Sequence, residues 1–281
     1  MENKALNHDC LKSFGEKGVH NKLDWMNEAE GKRTSALMLR EIAKQKQSEL
    51  SDHFENDEPT SSTIFKLYQP CESARKNSFL LLGYAIELLL KSGFVSLLIS
   101  TPKWALEKCV KKYSHKLAWL AKDLHIQLDE REFSLLNDLG SFIVNETRYP
   151  VTASGIQDYC NIINTLSAQF ANDGAFDLAL KIYDKVLGVI KTIDGTEDNP
   201  KTYNRVEVDS DGFITFRQGG SLPPVFVIKH STKQIEANND NLIAVKELLE
   251  TYDSASHKQM LRCWQSADFY SVSEKNGLKK L

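Results

Sequence analysis

The chain has 281 residues, of which 41% are hydrophobic and 26% are charged, and its formal net charge is −3. This composition is typical of a soluble globular protein, and the length allows one large domain or two ordinary ones. The small negative charge argues against nucleic-acid binding through bulk positive charge, although a local basic patch can still exist.

The cysteines and the short motifs exclude further classes of protein. The 5 cysteines are scattered and form no Cys-x-x-Cys pair, so neither a disulfide framework nor a zinc site is indicated. The sequence has no P-loop, no dinucleotide-binding glycine turn and no zinc-protease or serine-hydrolase motif. We therefore expect no metal and no cofactor. The amino terminus, MENKALNHDC, lacks the apolar core of a secretory signal, which favours a cytoplasmic protein without a membrane anchor.

Residues 1–62 are predicted to be an N-terminal helical segment. Two or three helices are expected there, and the last of them carries Leu37, Ile42 and Leu50 on its apolar side. The following polar run, residues 55–63, contains a proline and is predicted to be a loop.

The stretch Phe79–Ser92, FLLLGYAIELLLKS, is predicted to be a buried helix because apolar residues occupy nearly all of its positions. It is too short to cross a membrane, since Lys91 ends it before about 20 apolar residues have passed. Glu87 and Lys91 are four residues apart in the order that favours an ion pair on a helix. A buried carboxylate must be paired, hydrogen-bonded or neutralised, so Glu87 needs a partner in the fold.

Further helices are expected to complete a bundle. Counting the apolar helix as the first of the bundle, the second helix is predicted to begin with Ser114 as its N-cap. The third is predicted to begin at Asp129, because Asp129 and Glu132 have the spacing of a capping box. The third helix is predicted to end near Arg148, because Pro150 disfavours helical geometry in the residue before it. Two more helices, over about residues 155–171 and from there to residue 193, would pack as antiparallel neighbours.

Three motifs in this region occur in a recognisable order. They are GYAIELLLK in the apolar helix, a His-x-Leu beginning at His115, and ETRYP at the end of the third helix. Together they resemble a HEPN domain, and the resemblance covers residues 72–195. HEPN domains are compact helical bundles, often dimeric, and many are metal-independent ribonucleases of toxin–antitoxin, phage-defence and RNA-processing systems. The resemblance implies a mainly α fold with a HEPN-like helical bundle over residues 63–195, and a homodimer.

The chain departs from the catalytic members of that family. Those members carry an arginine followed four to six residues later by a histidine, whereas the first histidine after Arg148 is His230. Cleavage of RNA through its 2′-hydroxyl needs a base for the proton and a group that stabilises the phosphorane. Arg148 can fill the charged role, and the fold would have to bring His115 near to supply the base. Whether the chain is an enzyme is left open by the sequence.

The candidate site is drawn from the polar groups of these three helices. The catalytic candidates are Arg148, Tyr149, Glu87 and His115, and the ligand-binding candidates are Arg148, Tyr149 and Lys91. Each also has a structural interpretation: Glu87 as a carboxylate bonded to Lys91, Tyr84 or Arg148, His115 as a first-turn helix residue held by local hydrogen bonds, and Tyr149 as an aromatic at the edge of the core.

Residues 196–281 are predicted to form a small antiparallel β unit followed by C-terminal helices. Three short strands at most are expected, because alternation of period two begins near residue 205. Asp209 and Asp211 lie in a sequence that is typical of a hairpin turn, with metal binding as the alternative interpretation. His230 follows a strand and is expected to be exposed.

Three functional hypotheses follow. The first is a non-catalytic HEPN-like module that binds RNA, a nucleotide or a protein such as a nucleotidyltransferase in a bacterial defence, toxin–antitoxin or regulatory system. The second is a metal-independent endoribonuclease, a toxin or antiviral effector with a variant active site around Arg148. The third is a helical interaction protein unrelated to this family, in which the C-terminal strands dominate the function.

Overall fold

The computed structural model describes residues 10–12, 15–56, 60–146 and 153–281. In this part of the chain 66% of the residues are helical, and five strands form one small mixed sheet. The predicted class, mainly α with a small β unit, is confirmed.

Ten α-helices lie within the described residues. They are α1 (Lys22–Asn56), α2 (Ser61–Leu97), α3 (Lys103–Tyr113), α4 (Leu117–Asp123), α5 (Glu130–Ser141), α6 (Ile156–Ala171), α7 (Asp173–Thr192), α8 (Thr232–Glu236), α9 (Leu242–Glu250) and α10 (Ala255–Cys263). A π-helical turn, Phe142–Glu146, extends α5. The strands are β1 (Thr202–Val208), β2 (Gly212–Gln218), β3 (Val225–Lys229), β4 (Asp268–Ser273) and β5 (Gly277–Lys280).

The chain divides into two compact units. The helical unit comprises Trp25–Leu90 and His115–Leu187, and the sheet unit comprises Met1–Asp24, Lys91–Ser114 and Gly188–Leu281. The division falls inside α1, α2 and α7, so each of these three helices contributes residues to both units. The domain boundaries predicted at residues 62 and 195 stay predictions.

In the described part of this segment, one 3-10 turn (Gly18–His20) and one α-helix, α1, lie where two or three helices were predicted. The buried apolar side chains of α1 recur every seven residues, at Ala29, Ala36, Ala43 and Leu50. Ala43 packs against Cys71 and Ala74 of α2, and these small side chains allow the two helices to approach closely. The apolar side predicted for this segment is wrong at Ile42, which is 45% exposed. We refer to the four buried positions as the alanine seam.

Arg40 joins α1 to the connection between α6 and α7. Its guanidinium is buried, donates from Nε and Nη2 to Oδ1 of Asp173 at 3.0 and 2.7 Å, and donates from Nη1 to the carbonyl oxygen of Phe170 at 2.6 Å. The guanidinium carbon also lies 4.9 Å from the ring centroid of Phe176. Arg40 therefore satisfies a carbonyl group that the end of α6 leaves without a helical partner.

The apolar stretch predicted to be a buried helix lies in α2, which continues to Leu97. Its burial is confirmed. The helix is longer than the predicted stretch, because it begins at Ser61 and its apolar pattern continues through Phe94 and Val95. By length and composition α2 could cross a membrane, but 78% of its apolar window is buried inside the structure, so this helix is weak evidence for a membrane span.

The sheet has the strand order β1-β2-β3-β4-β5. The first three strands pair antiparallel, β4 pairs parallel to β3, and β5 pairs antiparallel to β4. The prediction of at most three antiparallel strands is therefore wrong in number and in direction. A parallel neighbour of β3 requires a crossover, and here it is formed by α8, α9 and α10, so that β4 lies almost 40 residues after β3, roughly three times the minimum for such a connection.

Helices α9 and α10 cover one face of the sheet. Their shared core consists of buried apolar side chains, Val208, Ile214, Phe216, Phe226, Ile228, Val245, Leu249 and Met260. The ring of Phe226 stacks on that of Phe269 in β4, with 5.1 Å between the centroids. Full burial of one such side chain stabilises a fold by about 1.5–3 kcal/mol, so this cluster holds the crossover helices against the strands.

A half-buried carboxylate, Asp194, fixes the chain just after α7. Asp194 accepts hydrogen bonds from Nζ of Lys22 at 2.9 Å and from Nζ of Lys201 at 2.8 Å. Nearby, the buried guanidinium of Arg217 donates to the carbonyl oxygens of Ile193 and Gly219. Burial alone would raise the pKa of Asp194, but the attraction of Lys22 and the hydrogen bonds from both lysines outweigh it and bring the pKa to about 2.

We predict that Asp194→Asn lowers the free energy of unfolding by about 3 kcal/mol at pH 7, because it leaves buried ammonium groups without their carboxylate. The pKa of Asp194 is lower in the folded than in the unfolded chain, so its charge contributes about 2 kcal/mol above pH 4, and this contribution is lost as the pH falls towards 2. Urea unfolding of both proteins between pH 7 and pH 2 measures the difference.

The matched control is Asp198→Asn, because Asp198 is exposed. This variant should unfold like the original protein throughout the pH range. A stability difference between Asp194→Asn and the original protein that stays constant from pH 7 to pH 2 would contradict the assignment.

Candidate functional site

Glu87 and His115 form a hydrogen-bonded pair in the helical unit, which we call the dyad. Oε2 of Glu87 lies 2.9 Å from Nδ1 of His115. The Glu87 residue is 4% exposed, whereas the His115 side chain is 28% exposed. An ionised carboxylate can only accept hydrogen bonds, so Nδ1 carries the proton of this bond. Nε2 makes no hydrogen bond to any described residue.

The local sequence explains how the two groups meet. Glu87 lies among leucines on the buried length of α2, and His115 lies in the turn before α4. The carbonyl oxygen of His115 accepts a hydrogen bond from the backbone N–H of Leu117 at 3.0 Å. Ser114 has a φ of 47° and terminates α3, so the prediction that it caps the next helix is wrong. His115 therefore precedes the helix that it was predicted to begin.

Gly140 of α5 lies directly against the turn that carries His115. A Cβ atom at Gly140 would lie 2.4 Å from the carbonyl oxygen of His115, far inside van der Waals contact. The ring of Tyr84, one turn before Glu87 on α2, faces the imidazole edge-on with 6.4 Å between the centroids. The imidazole is thus held by its carboxylate, by an aromatic neighbour and by a closely packed backbone.

The remaining candidate residues are Lys91, Arg148 and Tyr149. Lys91 lies one turn after Glu87 on α2 and is 8% exposed. Arg148 and Tyr149 lie outside the described residues, so the predicted contact between Glu87 and Arg148 stays a prediction. Of the four catalytic candidates, the fold brings together Glu87 and His115, which are 28 residues apart in the sequence.

The turn between β1 and β2 has a structural role. Oδ2 of Asp209 lies 2.5 Å from Oγ of Ser231, and Asp211 accepts hydrogen bonds from the backbone N–H and the hydroxyl of Thr232. The hydrogen bonds from Thr232 lower the pKa of Asp211. In the described part of the chain no cluster of three or more histidine, cysteine or acidic side chains could hold a metal ion.

His230 departs from its predicted exposure. The residue is half-buried at the end of β3, and burial lowers its pKa although the charge of Asp240 opposes this effect. The expectation that it is exposed is therefore wrong. His230 directly follows β3, and β3 is paired with β4, a strand that local periodicity did not predict.

Comparison of the chain with protein-family models, with curated proteins and with solved structures finds no match.

We predict that Gly140→Ala lowers the free energy of unfolding by about 1–3 kcal/mol, because the added methyl group must displace the backbone at His115. The matched control is Gly31→Ala on α1, where a Cβ atom would meet nothing within 4 Å. That control should gain up to about 1 kcal/mol from the higher helix propensity of alanine. Urea unfolding compares the two variants, and a stabilising Gly140→Ala would show that α5 is not confined by this contact.

Proposed function

We propose that the helical unit is a HEPN-like module that binds RNA or a nucleotide at the dyad, without cleaving it, in a bacterial defence, toxin–antitoxin or regulatory system. The observation that carries this proposal is the hydrogen bond from His115 to a carboxylate that is almost fully buried. It keeps one imidazole nitrogen occupied and leaves the other for a ligand.

The dyad has the chemistry that a ribonucleotide requires. In the neutral ring, Nδ1 donates to Glu87 and Nε2 is therefore an acceptor, which suits the 2′-hydroxyl that distinguishes RNA from DNA. Because the net charge of the chain is −3, binding would rest on such local contacts rather than on a strongly basic surface. The resemblance of residues 72–195 to HEPN domains points to the same class of ligand.

Absence of the family's arginine–histidine spacing favours binding over cleavage. The sequence offers no histidine four to six residues after Arg148, where catalytic members carry one. The proposal therefore describes a binding module in which a protein partner, such as a nucleotidyltransferase, would carry any associated chemistry.

A metal-independent endoribonuclease is the second candidate, and the geometry of the dyad favours it specifically. A histidine whose Nδ1 is held by a carboxylate can use Nε2 to take a proton, and general acid–base catalysis of this kind contributes about 10² to 10⁴ in rate. Arg148 would then supply the positive charge that stabilises the phosphorane.

We predict that His115→Ala weakens the binding of a short single-stranded RNA about tenfold or more, because the hydrogen bond between Nε2 of His115 and the RNA is lost. Fluorescence anisotropy with the full chain in EDTA measures this affinity. The control is His257→Gln on α10, a half-buried histidine of the sheet unit that is not part of the dyad, and this variant should have the same affinity for the RNA as the original protein. If the original protein and His115→Ala have equal affinity for the RNA, the dyad is not part of the RNA-binding site.

The same samples distinguish binding from cleavage. A binding module leaves the RNA intact in EDTA, whereas the enzyme gives cyclic-phosphate or 3′-phosphate ends. Cleavage that is lost in both His115→Ala and Arg148→Ala, with circular dichroism unchanged, would replace the first proposal by the second. Cleavage that survives both substitutions would exclude the dyad and Arg148 from catalysis.

A homodimer is part of the proposal because HEPN-like bundles often pair. Light scattering of the purified chain at micromolar concentration measures its mass. A dimer should have twice the chain mass of 31.8 kDa, and a mass that stays at 31.8 kDa at every concentration would rule the homodimer out.

A further inference from the structure

One face of α4 in the helical unit carries a tryptophan between two lysines. Lys116, which is the N-cap of α4, Trp119 and Lys122 are exposed. The other residues of this segment are apolar and buried, namely Leu117, Ala118, Leu120 and Ala121. Residues three apart are neighbours on the surface of a helix, so the three exposed side chains share one face. We call these three residues the tryptophan face.

Trp119 lies at the surface rather than in the core. The residue is 54% exposed, whereas tryptophan side chains are usually largely buried in folded proteins. The buried side chains of Leu117 and Leu120 already anchor α4 in the core. The ammonium nitrogen of Lys122 lies 5.3 Å from the centroid of the indole ring, within the range of a cation–π interaction. The ring is therefore held at the surface and is accessible to an aromatic ligand.

The charged side chains next to the ring in the sequence are mainly positive. Between residues 108 and 128 the sequence contains one acidic residue, Asp123. Asp123 is half-buried and already interacts with another group of the protein. Within the described part of the chain, neither Lys116 nor Lys122 forms an ion pair. The tryptophan face therefore offers two cations to the phosphates on either side of a stacked base.

An aromatic ring between two cations matches the chemistry of single-stranded nucleic acid. Proteins that bind single strands stack the bases on aromatic side chains and contact the phosphates with basic residues. In a duplex both faces of each base are covered by its neighbours, so a tryptophan cannot stack on a base without separating them. From Lys116 to Lys122 the helix rises about 9 Å, a length of about two or three nucleotides. The tryptophan face begins at the residue that directly follows His115 in the sequence.

We propose that the tryptophan face binds a single-stranded RNA segment, with one base stacked on Trp119 and the adjacent phosphates bound by Lys116 and Lys122. The proposal rests on the function proposed above, because both place RNA on the helical unit. It goes further by specifying an unpaired strand rather than a duplex, and by assigning the base and the phosphates to separate residues. The dyad would contact the 2′-hydroxyl, whereas the tryptophan face contacts groups that RNA and DNA share.

Fluorescence anisotropy of the full chain in EDTA, with a short labelled oligouridylate, measures the contribution of the base. Trp119→Ala should weaken binding about 5- to 150-fold, the range expected for the loss of one stacked base, and Trp119→Phe should keep part of the affinity. In the original protein the RNA should quench tryptophan fluorescence, and this quenching should be absent from Trp119→Phe. Addition of complementary oligoadenylate should reverse the quenching, because a duplex leaves no base free to stack.

The salt dependence of the affinity measures the phosphate contacts separately. Each phosphate contact on a single strand contributes about −0.7 to the slope of the logarithm of the binding constant against that of the salt concentration. Lys116→Met and Lys122→Met should each reduce the magnitude of this slope by about 0.7, whereas Trp119→Ala should leave the slope unchanged. The matched controls on α2 are Phe65→Ala and Lys66→Met, which remove an exposed aromatic and an exposed lysine of the same unit. Both should bind the RNA like the original protein.

The same measurements separate this proposal from the function proposed for the dyad. RNA binding that is weakened by His115→Ala but not by Trp119→Ala overturns the role of the tryptophan face and leaves the dyad in place. RNA binding that is weakened by Trp119→Ala but not by His115→Ala supports the tryptophan face and excludes the dyad. A DNA strand of the same length should lose as much affinity as the RNA in Trp119→Ala, because stacking does not involve the 2′-hydroxyl.

Because Trp119 is exposed, its variants should fold like the original protein, which circular dichroism checks. The quenching measurement uses the original protein and keeps the test valid if a variant fails to fold. The proposal is overturned if the RNA binds without quenching, or if the duplex binds as tightly as the single strand. It is also overturned if no RNA binds, and the proposed function then fails as well.

Discussion

The removal of one carboxylate from water is the constraint on which the helical unit depends. Glu87 is 4% exposed within an apolar helix, so it must find a hydrogen-bond donor or lose its charge. His115 supplies that donor from the turn before α4, and Gly140 provides the space that lets this turn lie against α5. The turn that carries His115 therefore connects the buried carboxylate of α2 with the backbone of α5.

The sheet unit holds a half-buried carboxylate with several cations. Asp194 accepts hydrogen bonds from Lys22 and Lys201, and Arg217 donates to backbone carbonyl groups. The nitrogen of Arg217 that has no hydrogen bond, Nε, is buried, so a ligand cannot reach it without a change in the fold. The dyad differs because the nitrogen without a bond to the described residues belongs to an imidazole that is 28% exposed. Exposure of the group that lacks a partner, rather than the presence of buried charge, separates a candidate site from a structural one.

Some short-range signals in the sequence are confirmed, whereas long-range pairings escape them. The capping box of Asp129 and Glu132 forms as its spacing predicts, since every contact lies within one helical turn. The sequence pattern does not predict strand β4, because its hydrogen-bonding partner is β3 and three helices separate the two strands in the sequence. Likewise, the need of Glu87 for a partner could be derived from its neighbours, but the hydrogen bond with His115 depends on how separate helices pack.

The alanine seam of α1 has a consequence for how the length of this chain can vary. Its members recur at intervals of seven residues, and an inserted residue would rotate every later member by about 100° around the helix axis. Such a rotation would turn Ala43 away from Cys71 and bring bulkier side chains into the narrow contact with α2. Natural homologues should therefore gain or lose whole heptads within α1 rather than single residues, and changes of other lengths should be confined to its two ends.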